Sequence, residues 1–376
     1  MRTSIAFGLL RRISPPFCWD RRCNSIWKAR QYSSAAENEV VSSVPQPLPL
    51  LSAAEVTLRL SRQSHANVKN YFAFYSSIVD GITTEPAGMV LPIDDHMAHR
   101  GHGVFDTATV LDGKIHLLDE HLDRFLRSAA MAEIAPPFSR SRLREIIVET
   151  LAASGLRRAL VRYWLSGGTG GFGLGQEGPS AFYCMVPKFP AFRDFHEGLR
   201  VVTSTVPIKS PRHACIKSTN YLPNVQVLSE ATAAGADQGI WLDEEGFIGE
   251  GPGMNVAFIC ESSPEGAALV TPPFDGRVLG GITLERVLTL ASRKPLRTLG
   301  LREIRRERVP REMVAQASEA FLVGSTTLVQ PVTEWDGRPI GDGFPGPVSA
   351  RLRKLLEEDM ATGDALTPVD YPTNIQ

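Results

Sequence analysis

The sequence has few cysteines and no long apolar run, and these two features exclude several kinds of protein. It contains 5 cysteines in 376 residues, and the three beyond residue 36 (Cys184, Cys215 and Cys260) are widely spaced. Without a Cys-x-x-Cys pair or a His-rich neighbourhood, neither a disulfide framework nor a zinc site is predicted, and no metal is expected. Arg11 and Arg12 interrupt the first apolar run, so no membrane span is predicted.

An excess of charge of one sign is also lacking. The chain has 40 lysines and arginines against 41 aspartates and glutamates, which gives a formal net charge of -1. Such a balance offers no electrostatic reason to bind nucleic acid or a membrane surface, and neither partner is expected. The composition, 43% hydrophobic and 22% charged, is that of a globular protein long enough for two domains.

The first 36 residues differ from the rest in their charges. They contain seven arginines and lysines but one acid, Asp20. An Arg-rich, acid-poor, serine-containing N-terminus is typical of an organelle transit peptide. Arg30, shortly before Tyr32 and small residues, resembles a mitochondrial processing site. The mitochondrion is therefore predicted, with the plastid as the alternative, and residues 37–68, which include a Pro-rich stretch, are predicted to be a linker.

Beyond the linker, strand and helix patterns follow one another. Asp112-Gly113 separates two apolar runs, which predicts a hairpin over residues 103–118. Apolar residues at helical spacing predict helices at 119–134 and 139–153. Other predicted strands lie at 71–79, 89–93, 159–165, 180–186, 201–207, 239–242, 255–259 and 320–323, and other predicted helices at 222–234, 283–291 and 346–360.

This order of elements predicts an α/β (α+β) protein with mixed sheets in two domains. A Pro-rich crossing at 187–190 separates a small N-terminal α/β domain, predicted at 69–188, from a large C-terminal domain, predicted at 195–362.

A glycine-rich segment at 168–173 matches the G-x-G-x-x-G pattern of dinucleotide-binding loops. That pattern also requires a helix that begins at the last glycine and an acid about 20 residues further on. Residues 174–179 include two glycines and Pro179, and they cannot begin a helix. The segment is therefore interpreted as a flexible loop between two strands, and a nicotinamide-binding module is a weak alternative.

Four segments, at 99–107, 162–166, 217–224 and 250–258, resemble in content and order those of one enzyme family. The family is the fold-type IV pyridoxal-phosphate (PLP) enzymes, which include the class IV aminotransferases. Within it, the chain is most similar to the plant D-amino-acid transaminase and aminodeoxychorismate lyase group. The resemblance extends over residues 71–360. It implies a two-domain fold of the D-amino-acid aminotransferase type, PLP bound by the C-terminal domain, and a homodimer.

The resemblance also implies how the chain holds the ring of the cofactor. It makes Lys217 the catalytic lysine, which binds PLP as a Schiff base and moves the α-proton of the substrate. Glu250 is the carboxylate that keeps the ring nitrogen protonated. Tyr221 lies beside the ring oxygen. Outside this context Lys217 would be taken for a solvated lysine and Glu250 for a turn residue.

Four further residues are implied to bind the phosphate of the cofactor. Arg124 supplies a cation, although by itself it would be an ordinary exposed helix arginine. Ile282 and Thr283 end a Gly-Gly-Ile-Thr segment before a helix whose N–H groups and positive end favour an anion, with Thr283 as cap and hydroxyl donor. Thr326, in a Gly-Ser-Thr-Thr turn after a strand, adds a hydroxyl.

The resemblance leaves the residues that bind the substrate carboxylate open. Bacterial D-amino-acid aminotransferases use an arginine and a histidine in the loop after a central strand, and residues 167–178 contain neither. Arg100, His102 and Arg162 are alternative candidates, as are backbone donors near Thr326 and Thr327, and Thr327 is expected to lie toward the substrate.

Three functional hypotheses follow. The first is a transaminase that moves the amino group of an amino acid, with D-amino acids favoured, to a 2-oxo acid. The second is an aminodeoxychorismate lyase, which releases pyruvate and p-aminobenzoate; a branched-chain aminotransferase is a further alternative. The third, a PLP-type fold without catalysis, is disfavoured because Lys217, Glu250 and Arg124 are all present.

Overall fold

The computed structural model describes residues 47–62, 68–189, 191–263 and 266–372. The predicted transit peptide, residues 1–36, and part of the predicted linker lie outside the described residues. Helix α1 (Ala53–Arg62) lies inside the linker, was not predicted, and has no buried side chain. None of the described helices is long and apolar enough to cross a membrane.

The first sheet contains seven strands, and every neighbouring pair in it is antiparallel. They are β1 (Tyr71–Ser76), β2 (Gly81–Thr83), β3 (Gly103–Leu111), β4 (Lys114–His116), β5 (Ala159–Ser166), β6 (Ala181–Pro187) and β17 (Leu366–Pro368), in the order β17-β4-β3-β5-β6-β1-β2. The strand at one edge thus comes from the C-terminal part of the chain.

Three helices accompany the first sheet: α2 (His96–Arg100), α3 (Leu118–Met131) and α4 (Arg140–Ser154). The apolar sides of α3 and α4 share a core with the sheet, in which Leu122, Phe125 and Ile147 are fully buried with Tyr163. Because the apolar residues recur at helical spacing, each helix presents one continuous face to the sheet.

The second sheet has eight strands in the order β12-β11-β10-β14-β15-β7-β8, with β16 paired to β15. The strands are β7 (Leu199–Thr203), β8 (Gln238–Ile240), β10 (Asn255–Ser263), β11 (Gly266–Thr271), β12 (Leu301–Arg306), β14 (Ala317–Gly324), β15 (Leu328–Trp335) and β16 (Arg338–Pro339). It is mixed, as predicted, since β12, β7 and β8 form parallel pairs. A separate pair joins β9 (Phe247–Ile248) to β13 (Val309–Pro310).

The described residues of this part of the chain form four α-helices, the last three of which contact the second sheet. They are α5 (Pro211–Ala214), α6 (Leu222–Ala233), α7 (Ile282–Ser292) and α8 (Pro347–Thr362). Short 3-10 helices span Val68–Asn70, Pro86–Gly88, Leu296–Leu299 and Arg311–Gln316. The chain from Ala53 onward forms one compact unit, and the domain boundary near 187–190 stays a prediction.

Most of the predicted elements are present, but the strand predicted at 89–93 is wrong. That segment is irregular, and Val90, Leu91 and Ile93 are exposed. No described strand pairs with it; a 3-10 helix precedes it and α2 follows it in the chain. By contrast, the predicted hairpin is confirmed: Asp112 and Gly113 have φ angles of 49° and 75° and connect β3 to β4.

Candidate active site

A cavity of about 190 Å³ is lined by residues from both sheets. It contains eight of the residues singled out in the sequence, namely Arg124, Arg162, Lys217, Tyr221, Glu250, Ile282, Thr283 and Thr326. Its other polar side chains are Thr107, Lys209, Asn224, Asn255 and Ser325. Lys209 gave no signal in the sequence, whereas the other four lie in the segments named above without having been assigned an individual role. Residues that lie far apart in the chain thus meet at one place.

Lys217 is held against β3 by its backbone. Its carbonyl accepts a hydrogen bond from the Phe105 N–H at 2.9 Å, and its own N–H donates to the Ser128 hydroxyl at 3.1 Å. The Lys217 Nζ lies 3.4 Å from the Tyr221 hydroxyl and 4.7 Å from the centre of the Phe105 ring. Burial, together with the nearby Arg124 cation, lowers the pKa of the Lys217 amine to about 8.

Glu250 is a buried carboxylate, 5% exposed, at the wall of the same cavity. Its Oε2 accepts a hydrogen bond from the Leu279 N–H at 3.1 Å. Burial raises its pKa to about 7, although the nearby Lys209 cation acts in the opposite direction. A carboxyl group of this kind is suited to a basic nitrogen that has to stay protonated near neutral pH.

Arg124 reaches the cavity from α3 and is fixed by Asp106 of β3. Its Nε and one terminal nitrogen donate to the two oxygens of the Asp106 carboxylate at 2.9 and 2.8 Å, and its other terminal nitrogen donates to the Gly280 carbonyl at 3.1 Å. Burial opposes the charge of this arginine, but Asp106 outweighs it and raises the pKa of Arg124. The guanidinium is therefore a permanent cation beside the cavity.

The start of α7 provides a second anion-binding element. Gly281 is the N-cap residue and supplies no side-chain cap, so the first N–H groups of the helix have no such partner. A Cβ at Gly281 would lie 1.7 Å from the Asn255 Oδ1, so only glycine fits there. The Thr283 hydroxyl lies 3.1 Å from that of Ser325, in the turn after β14. The backbone donors and hydroxyls together suit a phosphate group.

Arg162 and its neighbours form another part of the cavity wall. Its Nε donates to the Thr107 hydroxyl at 2.9 Å, and its guanidinium lies 5.6 Å from the centre of the Phe105 ring. No carboxylate among the described residues pairs with it, and burial lowers its pKa. An arginine without an acidic partner in a cavity wall is suited to binding a carboxylate from a ligand.

Arg100 and His102 lie in a separate cavity of about 360 Å³, with Arg212 and His213. Arg100 donates to backbone carbonyls of the glycine-rich loop, including that of Gly173 at 3.2 Å. The His102 Nε2 contacts the Ala132 carbonyl at 2.8 Å. Within this chain the structure does not bring these two residues to Lys217. Nor does Thr327 line the cavity of Lys217, although it adjoins Thr326.

The residues of the first cavity fit PLP. The amine of Lys217 suits its aldehyde, the buried Glu250 its ring nitrogen, and Arg124 with the start of α7 its phosphate. In contrast, no group of histidine, cysteine, aspartate and glutamate in the described part of the chain is suited to a metal ion.

Comparison with known proteins identifies the family. A profile of the amino-transferase class IV family matches residues 103–335. The D-amino-acid transaminase of Arabidopsis thaliana chloroplasts is 46% identical over 337 residues, 88% of this chain and 87% of that protein. A putative branched-chain-amino-acid aminotransferase of Methanocaldococcus jannaschii is 30% identical over 70% of this chain and 89% of that protein.

Solved structures give the same result. A T.th. branched-chain amino acid aminotransferase, solved with pyridoxamine 5'-phosphate, has a TM-score of 0.72 and 26% identity, and the alignment covers 80% of this chain and 99% of that one. The enzyme of Thermoproteus uzoniensis, at 24% identity, shares the fold with a TM-score of 0.71. The chain belongs to the class IV aminotransferases, and the predicted fold-type IV architecture is confirmed. It is a PLP-dependent transaminase, an enzyme that moves an amino group from an amino acid to a 2-oxo acid.

Proposed function

We propose that this transaminase prefers D-amino acids and carries out its chemistry at Lys217. The observation that carries the proposal is the meeting of Lys217, Glu250 and Arg124 in one cavity. The preference for D-amino acids is supported by the 46% identity to a protein described as a D-amino-acid transaminase.

Lys217 is proposed to transfer the proton. When bound, PLP supplies the carbonyl that receives the amino group and a ring that withdraws electrons from the substrate Cα. With a pKa of about 8, the Lys217 amine can take and return a proton near neutral pH. The Tyr221 hydroxyl, 3.4 Å from Nζ, directs the amine, and Glu250 holds a proton at the ring nitrogen.

The other assigned residues bind and orient. We assign the phosphate to Arg124, Thr283 and Thr326, with the backbone N–H groups at Ile282. We assign the substrate carboxylate to Arg162, since it lines the cavity of Lys217 and has no acidic partner among the described residues.

A half-reaction tests the proposal. The purified protein, loaded with PLP, is mixed with D-alanine or L-alanine without any oxo acid, and pyruvate and the absorbance of the bound cofactor are followed. D-alanine alone should release pyruvate and convert the cofactor, and Lys217→Ala should abolish both changes. Conversion by L-alanine only would overturn the D preference. If neither alanine reacts, release of pyruvate from aminodeoxychorismate would support the lyase instead.

We further propose that the protein is located in the plastid. The Arabidopsis relative is described as chloroplastic, and residues 1–36 have the composition of a transit peptide. The mitochondrion, predicted first from Arg30, has no support among the relatives described above. A fluorescent protein fused behind residues 1–36 should accumulate in plastids, and mitochondrial fluorescence would contradict the proposal.

We also propose a homodimer that uses the outer face of α6. Leu222, Val225 and Leu228 are 68%, 56% and 42% exposed and form an apolar stripe on a helix that begins directly after Tyr221. Apolar stripes of this kind are typical of protein–protein interfaces. A second copy on this face would lie next to the cavity of Lys217.

A further inference from the structure

A buried chain of side chains lies behind the phosphate-facing end of the cavity. It begins at Asp106, which is fully buried in β3. The Asp106 carboxylate accepts hydrogen bonds from the Thr107 N–H at 2.7 Å, from the His121 Nδ1 at 2.8 Å and from two nitrogens of Arg124. Burial by itself would raise the pKa of Asp106, but Arg124 and His121 outweigh it and hold the pKa well below its usual range.

These contacts determine the direction of Arg124. A guanidinium has five N–H donors in one plane. Two of them are directed to Asp106 and one to the Gly280 carbonyl, which directly precedes the N-cap of α7. The guanidinium is therefore fixed on both sides; its two remaining N–H groups have no carboxylate or carbonyl partner among these contacts, and one terminal nitrogen lies 3.5 Å from the His121 Nδ1.

His121 extends the chain to the hydroxyls beside α7. Its Nδ1 must carry the hydrogen, because a carboxylate oxygen can only accept. Burial lowers the pKa of His121 against the opposing effect of Asp106, which favours the neutral ring, whose Nε2 accepts hydrogen bonds. That Nε2 lies 3.4 Å from the Ser325 hydroxyl, which lies 3.1 Å from the Thr283 hydroxyl.

We infer that Asp106 and His121 are positioning residues for the phosphate of the cofactor. Asp106 holds Arg124, and through His121 it holds Ser325, so that cation, hydroxyls and helix start are in place before a phosphate monoester arrives. Ser325 thereby joins the phosphate-binding residues. The inference rests on the proposed assignment of Arg124 and Thr283 to the phosphate.

The chain contains a matched control for this arrangement. Asp359 of α8 is also buried and also shared by a histidine and an arginine: the His116 Nε2 lies 2.8 Å from its Oδ2, and the Arg286 Nε donates to it at 2.8 Å. Neither His116 nor Asp359 lines the cavity of Lys217. His116→Asn perturbs this second buried cluster, whose histidine and aspartate do not line the cavity, although its Arg286 belongs to α7.

The test measures binding rather than activity. Apoprotein of the wild type, His121→Asn and His116→Asn is titrated with pyridoxamine 5'-phosphate and with pyridoxamine, which lacks the phosphate. Asparagine keeps the N–H toward Asp106 but does not reach Ser325. We expect His121→Asn to weaken binding of pyridoxamine 5'-phosphate about tenfold, the effect of losing a hydrogen-bonded contact to a charged group. Binding of pyridoxamine should weaken less than twofold. His116→Asn should lower the melting temperature and change neither affinity.

A second variant keeps the inference testable if His121→Asn does not fold. Ser325→Ala should give the same phosphate-specific loss, and the double variant should lose no more than the larger single variant, because both changes break one connection. Equal losses for both compounds, or no loss for either, would overturn the inference. A wild-type protein that binds neither compound would instead refute the proposed cofactor site.

Discussion

At the scale of single residues, the site depends on two ionisable groups whose pKa values are shifted in opposite directions by burial, because burial disfavours the charged form of each. Burial favours the neutral amine of Lys217 and the protonated carboxyl of Glu250, and it brings both pKa values close to neutrality. Each group can therefore gain or lose a proton near neutral pH.

The lowered pKa of Lys217 predicts how loading of the cofactor depends on pH. Only the neutral amine can attack the aldehyde of PLP. With a pKa of about 8, roughly a quarter of the Lys217 side chains carry a neutral amine at about pH 7.5. For an ordinary lysine the neutral fraction at that pH is about a thousandth. The rate at which PLP binds covalently to the apoprotein should rise with pH and level off above about pH 8. A rate that keeps rising to about pH 10 would show that the amine is not perturbed.

Glu250→Gln should keep the cofactor but slow the reaction. Glutamine can still accept the Leu279 N–H bond, but its amide cannot hold a proton at the ring nitrogen. We expect kcat to fall about 100-fold, within the usual range for acid–base groups, with unchanged cofactor content per chain. The measurement is kcat together with the bound cofactor determined after denaturation. An unchanged kcat would remove Glu250 from the mechanism.

Single residues also show how far the sequence can be used to predict the site. Lys217 and Arg124 could be identified because motifs of a known family surround them. Ser325 gave only a weak signal, its place beside Thr326 in the turn after β14. The pairing of Asp106 with Arg124 could not be predicted, because it depends on how α3 packs on β3.

At the scale of elements, two adjacent glycines at the start of α7 differ in the space available for a side chain. A Cβ at Gly281 would overlap Asn255, which itself donates to the Leu279 carbonyl at 3.0 Å, whereas at Gly280 the nearest atom would be 3.9 Å away. Gly281→Ala should therefore move the helix start and weaken binding of pyridoxamine 5'-phosphate at least about tenfold, because the donors no longer converge. Gly280→Ala is the control and should bind normally; equal effects would contradict the argument.

The helices and strands also differ in how far a local sequence pattern can predict them. The hairpin of β3 and β4 was predictable because Asp112 and Gly113 define its turn locally. The prediction of a strand at 89–93 was wrong because a strand also needs a neighbouring strand to pair with, and that neighbour depends on the topology of the sheet. The same limit explains why β11, β12 and β15 were missed.

At the scale of the whole molecule, the apolar stripe on α6 predicts the state of assembly. Val225→Glu places a charge in the proposed interface, which should convert the dimer to monomers and weaken cofactor binding, since α6 follows Tyr221 directly. Light scattering gives the mass. Phe344→Glu, at another site that is 73% exposed, is the control and should stay dimeric. A wild-type monomer, or a dimeric Val225→Glu protein, would refute the interface.

The C-terminal strand β17 has a consequence for how the chain is made. It pairs with β4 through Leu366 and His116 and so completes the first sheet with residues synthesised long after the others. While the nascent chain is still on the ribosome, β4 presents an open edge, and open edges invite pairing with other chains. The sheet that emerges first is thus the last to be finished, and a chaperone that covers β4 would be most needed before residue 366 has emerged.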